Sequence, residues 1–317
     1  MKKRQYYIFY SVITLLVIGL KLNDIKPLER IEWKLQDILY EFKQNAPASG
    51  KVALVQIDDL SVSQIGPWPW SEEVLSDLVA AVGTAEPRTV LLDLDATDPN
   101  SPNSPNSKRK KSNKSKKSNK KLDQIVSQQL LWMKNVTVSY DVMTASAPSA
   151  DVTNPQFLFR NALVTNSDVG LLSPEQALPV RTALLPDKEI SDAAARLGFR
   201  HTAIDEDGVL RYEPLVMNYN GYYYPSASLV AAAHFLRVSP ESIVVNGGEN
   251  IALLDRTIPT NERGEMLLNF PTGGAGFKSY SATDILNERV DFSVLNNQLV
   301  VITLSMGSHT EYYKSPI

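Results

Sequence analysis

Six side chains in this sequence have the chemistry and the spacing to form a binding site: Asp58, Asp59, Trp68, Trp70, Asp93 and Asp95. Asp58 and Asp59 close the apolar run Val52 to Ile57, and Asp93 and Asp95 close a second run, Thr89 to Leu94. If the two runs are neighbouring parallel strands, all four carboxylates lie at the C-terminal edge, where open α/β sheets place their ligand crevices. Converging carboxylates repel, raise one another's pKa and favour a hard cation, calcium or magnesium, the one cofactor these residues suggest. The competing reading is that the aspartates cap helices and turns by accepting from backbone N–H groups. Trp68 and Trp70 sit on a turn stiffened by Gly66, Pro67 and Pro69. They either line a pocket or partner surface, or pack over the sheet edge.

Other groups carry less. Asp205, Asp207 and Gly208 read as turn chemistry leading into Arg211. His201, His234 and His309 stand at no metal-binding spacing, and with no cysteine the chain has neither thiolate catalysis nor Cys-type zinc or iron–sulfur sites. Val90 to Pro99 also fits the D-x-D-x-T signature of haloacid-dehalogenase-type phosphatases, with Asp93 as nucleophile and Asp95 as general acid. The chain order opposes that reading, because the lysine and magnesium-binding acids needed later in the chain have almost no room after Ser305.

The elements that must position these residues alternate between helix and strand. Val52 to Ile57 is a continuous apolar run, expected to be covered on both faces. Ser71 is placed to cap a helix with Glu72 and Glu73 in its first turn and an apolar stripe of Val74, Leu75, Leu78, Val79 and Val82. Thr89 to Leu94 follows as a second buried strand reached by a right-handed crossover. Leu122 to Met133 reads as helix and Val136 to Tyr140 as strand. Val209 to Met217 and Tyr222 to Tyr224 flank Asn220-Gly221, a strong hairpin signal, and Pro225 is expected to open a helix through Leu236. Short strands near Ile243–Val245, Ile251–Leu253 and Met266–Asn269, a helix around Ala282–Leu286 and a closing strand Leu299–Leu304 complete the pattern. The fold class is α/β: a mixed, mainly parallel sheet with helices on both faces plus antiparallel hairpins.

One N-terminal transmembrane helix is expected before this body. Tyr6 to Leu20 carries no charge and lies between Lys2, Lys3, Arg4 and Lys21. It is short for a span, and flanking lysines and tyrosines can make up the difference. A cleaved signal peptide is the alternative, but Gly19 to Asp24 offers no small-x-small site. The basic tip keeps the N-terminus in the cytoplasm, so the chain beyond about residue 25 faces outward across the cytoplasmic (inner) membrane. The expected organisation is basic tip and anchor over residues 1–24, a membrane-proximal helix over 25–45, and a folded body over 46–317. Within that body, residues 98–121 are a low-complexity Pro/Asn/Ser segment running into nine Lys/Arg. Without it the net charge of −3 becomes about −11, an acidic body with a basic insert. No aromatics interleave those charges, so nucleic acid is not an expected partner; a solvated, disordered loop is the expected reading, with contact to anionic lipid or polysaccharide as the alternative.

Taken together, the anchor, Leu35–Phe42 (LQDILYEF), LVQIDDLSV, IGPWPW, the strand ending in Asp93, Asp205–Leu215 (DEDGVLRYEPL), a helix starting near Pro225 and the closing apolar strand resemble the second of the CHASE-type extracellular sensor domains. Such domains stand outside the membrane in bacterial adenylate cyclases, histidine kinases and serine/threonine kinases. The resemblance implies a non-enzymatic signal-input domain, with the membrane as one partner and an unknown small ligand, a partner protein or a second subunit as another. Three departures stand out. Ser71, Glu72 and Glu73 occupy positions where a basic residue is usual, a glycine of the closing strand is replaced by Thr303 or lies at Gly307, and an aspartate beyond it is missing or displaced to Glu311. The sequence ends at Ile317 with no output domain. A membrane-anchored scaffold ectodomain shares the same anchor and fold. In the sensor reading the helix from Glu29 to Phe42 transmits the signal and is a dimer contact.

Overall fold

The structure is a computed structural model that describes residues 6–7, 10–14, 19, 31, 33–39, 49–94, 125–144, 156–165, 177–270, 276–307 and 314–315. Asp95, the insert at 98–121, His309, Glu311 and most of the expected anchor lie outside these residues. The chain divides into two compact units, one of Met1–Pro47, Phe270–Gly274 and Ser315–Ile317, the other of Ala48–Asn269 and Ala275–Lys314.

In the first unit the described residues of the expected anchor (6–7, 10–14 and 19) are helical, as are 31 and 33–39. Among the described residues no helix is long and apolar enough to cross a membrane.

The second unit holds the sheet. Its elements in chain order are β1 (Val52–Asp58), α1 (Asp59–Ile65), α2 (Glu72–Thr84), β2 (Thr89–Asp93), α3 (residues 125–133) and β3 (Val136–Met143). Next come α4 (Gln156–Phe159), β4 (Val164–Thr165), β5 (Leu178–Pro179), β6 (Thr182–Leu184), α5 (Lys188–Ala193), β7 (Arg196–Arg200), β8 (Tyr212–Pro214), β9 (Val216–Tyr219), β10 (Tyr222–Pro225) and α6 (Ala227–Phe235). Then follow β11 (Ile243–Asn246), β12 (Asn250–Leu253), β13 (Arg256–Pro259), β14 (Glu265–Leu267), β15 (Lys278–Ser281), α7 (Ala282–Leu286) and β16 (Leu299–Ser305). The main sheet runs β15-β1-β16-β2-β3, with β6 and β7 also on β3, and every pairing except β3 with β6 is parallel. The mixed, mainly parallel α/β class read from the sequence is therefore present, with antiparallel hairpins β9–β10 and β11–β12–β13 beside it.

Strand order corrects one expectation that bears on function. β1 and β2 are not neighbours, because the last strand, β16, is inserted between them with Asp58 opposite Ser305 and Asp93 opposite Thr303. The apolar run of β16 (Val300 and Ile302 fully buried) earns a central position that connection length alone would not assign. β1 is also less covered than its apolar run suggests. Ala53, Val55 and Ile57 are buried, while Val52, Leu54 and Gln56 are half-buried.

Helices pack on both faces. Leu78, Val79 and Val82 of α2, Ile285 of α7 and Val126 and Leu130 of α3 share one core with the inward residues of β1, β16, β2 and β3. On the opposite face, Ala227 and Ala231 of α6 meet Leu91 of β2 and the half-buried Leu299 and Val301 of β16. Gly198 permits that contact, since a Cβ there would lie 2.4 Å from Ala227 Cα.

Local expectations are adjusted in three places. Ser71 stands at the N-cap of α2 but makes no side-chain cap bond. α6 begins at Ala227 rather than Pro225, with the Ser226 hydroxyl accepting from Leu229 N, because Pro225 is spent on strand β10 opposite Val216. The Asn220-Gly221 hairpin forms with both residues at positive φ, but Val209–Met217 is not one strand. Tyr212–Pro214 pairs instead with β14, and Leu215 separates it from β9.

Candidate functional site

Asp58 is occupied by structure. Its Oδ1 accepts from Ser61 N at 2.8 Å, Ser61 Oγ at 2.6 Å and Ser281 Oγ at 2.8 Å, so it caps α1 and ties β1 to β15. Burial by itself would raise its pKa, but the bonds from Ser61 and Ser281 outweigh that and hold it below the usual carboxylate value. The network continues through Ser61 Oγ, which accepts from Thr283 N at 3.1 Å, and Thr283 Oγ1, which donates to Gln64 at 3.0 Å. Asp59 is exposed and accepts from Gly307 N at 3.3 Å. The capping chemistry considered for these aspartates is thus what the β1 edge contains.

The tryptophans stand beside that edge. Trp70 is buried, and its Nε1 donates to Gly66 O at 2.9 Å. The half-buried Trp68 meets it edge-to-face with centroids 6.0 Å apart, and both rings pack on the main core.

Asp93 lies elsewhere. One strand intervenes between β1 and β2, a lateral separation of about 10 Å, and Asp93 is level with Gln56 rather than Asp58. Asp58 and Asp93 therefore do not converge from neighbouring strands as the sequence suggested, Asp95 lies outside the described residues, and among the described residues no group of three or more His, Cys, Asp or Glu is arranged to hold a metal ion. Asp93 is instead part of a second constellation. Its Oδ1 is 3.4 Å from Arg200 NH1, and Arg200 reaches Asp141 Oδ1 through Nε at 2.9 Å and NH2 at 2.6 Å.

These three residues end adjacent strands. Asp141 of β3 is the Cα partner of Arg200 of β7, and the register of β2 on β3 places Asp93 on that same face, the one covered by α6. Asp141 is also the partner of Leu184, so β6 and β7 flank β3 on opposite sides. β7 lies opposite β2, which leaves β6 on the β2 side, in line beyond the end of β2. β6 thus stands on the β2 side of this group, and α6 covers the same face of the sheet. From β8, Glu213 enters this neighbourhood, its Oε1 3.4 Å from Ser228 Oγ in the first turn of α6. Burial, helped by the charge of Asp93 and opposed by the bond from Ser228, raises its pKa from 4.5 to about 7. Glu213 therefore exchanges its proton near neutral pH.

Nearby, Arg211 is fully buried, donating to Asp205 at 2.8 Å and to Asp207 at 3.0 and 2.8 Å, while Gly208 at φ 81° completes the turn. The Arg211 bonds hold the Asp207 carboxyl below its ordinary value. The turn reading of Asp205, Asp207 and Gly208 is present, with a buried ion pair added beneath it.

Asp141, Arg200 and Glu213 escaped the sequence reading. Asp141 had a visible signal, an acid closing the apolar run Val136 to Tyr140, as Asp93 closes its own. Arg200 had none, since Ala193 to Arg200 does not alternate like a strand.

The CHASE2 domain family matches residues 12–317 of this chain. No curated protein and no solved structure matches it.

Proposed function

Since the chain belongs to the CHASE2 domain family, whose members are sensory extracellular-type domains, we propose that it is the signal-input domain of a bacterial membrane signalling protein and that its input is read at the mouth formed by Asp93, Asp141, Arg200 and Glu213. One observation carries the choice of site. At this edge a partly exposed guanidinium, two carboxylates and a carboxyl titrating near 7 meet under the first turn of α6, whereas Asp58 at the β1 edge is engaged by three structural hydrogen bonds.

The chemistry suits a small polar molecule carrying both charges. A ligand anion competes with Asp93 for Arg200, a contact of 3.4 Å against 2.6 Å to Asp141, and a ligand cation gains Asp93 and Glu213. Glu213 then loses its proton. Differential affinity of this kind for two arrangements of α6 over the sheet is what a transmitted signal requires.

The proposed topology is a single-pass anchor in the cytoplasmic membrane with the N-terminus inside and the sheet domain outside. The helix over 29–42 relays the signal and pairs with its counterpart in a homodimer. Ile31, Leu35, Ile38 and Leu39, at helical spacing and exposed within their own unit, support that contact.

Thermal melts of the full chain against a panel of amino acids and small carboxylic acids test the site. The expected result is a stabilising shift with at least one compound that disappears in Arg200→Gln and survives in His201→Ala. A shift lost equally in both, or no shift with any compound, rejects the site. A reporter fused after Trp70 that is active only inside the cell rejects the topology.

A further inference from the structure

Helix α3 carries a second apolar face that is exposed and has no packing partner among the described residues. Its inner side, Val126 and Leu130 with Met133, packs into the main core and against Gly83 of α2. The opposite side presents Ile125, Gln128, Leu131 and Trp132, with exposures of 36% for Ile125, 57% for Leu131 and 68% for Trp132. At 100° per residue these four positions form one continuous stripe diametrically across from Val126 and Leu130. A tryptophan two-thirds exposed on an ordered helix is costly to leave in water, at about 25 cal/mol per Å² of apolar surface. No acidic residue occurs between Ile125 and Asn135, and the exposed Lys134 ends the helix.

The sequence immediately upstream indicates what covers the stripe. Nine lysines and arginines lie between Lys108 and Lys121, four residues before Ile125, on a chain that is otherwise strongly acidic. A basic run joined to a helix face of Leu, Ile and Trp combines the two attractions that hold segments on lipid surfaces: charge toward anionic headgroups and apolar burial at the acyl boundary. We infer that the outer face of α3 is a docking surface for an anionic lipid bilayer. The contact lies at a distance in sequence from the N-terminal anchor, and it does not depend on the sensing site described above.

Charge also decides against the alternatives. A second copy of this chain would bring another nine cations to the same place, and like charges there repel. An anionic bilayer instead concentrates headgroups, and each basic side chain near such a surface raises partitioning by about fivefold.

The absence of cysteine allows a direct test on the full chain. Gln128→Cys, bearing an environment-sensitive fluorophore, is reconstituted in vesicles of phosphatidylcholine alone or with about 30% phosphatidylglycerol, an anionic fraction that sets a negative surface potential. Leu254→Cys, at another exposed apolar site, serves as the reference. The expected result is quenching of the residue-128 label by lipid-borne nitroxide in anionic vesicles, reduced about tenfold by high salt, and absent at residue 254. It is lost when Leu131 and Trp132 are both replaced by serine, exposed positions where substitution leaves the core intact. Equal quenching in neutral vesicles, equal quenching at both labels, protection that follows protein concentration instead of lipid charge, or protection by a soluble polyanion without lipid quenching would each overturn the inference.

Discussion

Glu213→Gln should make the protein more stable at pH 8 and leave its stability nearly unchanged at pH 4. In the folded protein the carboxyl accepts from Ser228, and burial with the Asp93 charge lifts its pKa from 4.5 to about 7. A raised carboxyl pKa means that the folded state holds the proton more tightly than the unfolded chain. Stability then falls as pH rises from about 4.5 to about 7 and levels off above it. The full interval corresponds to about 3 kcal/mol, and partial solvent access to the mouth reduces it to about 1–3 kcal/mol. Glutamine keeps the shape and the capacity to bond Ser228 but carries no charge. At about 2–4 °C per kcal/mol for a body of this size, the variant should melt about 2–12 °C above the wild type at pH 8, with the gap closing toward pH 4. Circular-dichroism melts of both proteins across that range measure the difference directly, since every other titrating group contributes to both. Parallel curves, or a variant less stable at pH 8, would refute the account of a buried, charge-coupled Glu213.

Three further outcomes follow from the packing. Asp58→Asn should cost about 1–3 kcal/mol by urea denaturation at pH 7, since it weakens an N-cap and three bonds at once. Because the Asp58 pKa is lowered on folding, that deficit should shrink as pH falls below the unfolded value of 3.8 and through the folded one. Gly198→Ala should abolish α6 packing or cost more than about 3 kcal/mol, seen as a lost cooperative melt, because the new Cβ meets backbone atoms of Ala227 at 2.4 and 2.6 Å. Arg211→Ala should cost about 3–5 kcal/mol and expose the 205–208 turn to limited proteolysis, because Asp205 and Asp207 lose their shared buried cation.

Local signals transferred well wherever one element was enough to explain a residue. The apolar runs of β1, β2, β3 and β16, the stripe on α2 and the Asn220-Gly221 hairpin are visible in the chain because periodicity and turn chemistry act over a few neighbours. Strands such as β7 (RLGFR) and β15 (KSYS) were not legible. The first owes its place to Gly198 lying under α6, and the second is a short polar edge that gains strand geometry from pairing with β1. Of the site, Asp93 was marked for its position after an apolar run, and its strand end does lie at the crevice edge. Its company was misread, since the sequence paired it with Asp58 and the fold pairs it with Asp141 and Arg200.

The amino-acid sequence by itself determined the class of fold, the family, the acidic body with its basic insert and the absence of thiol chemistry, because composition, period and motif are properties of the chain read in order. Which carboxylates meet was decided only by the tertiary structure. Inserting β16 between β1 and β2 and setting α6 across β2, β3 and β7 depends on the summed burial of strands more than a hundred residues apart. That sum separates Asp58 from Asp93 by a whole strand and brings in Arg200 and Glu213 from segments whose local sequence gave no hint of a site.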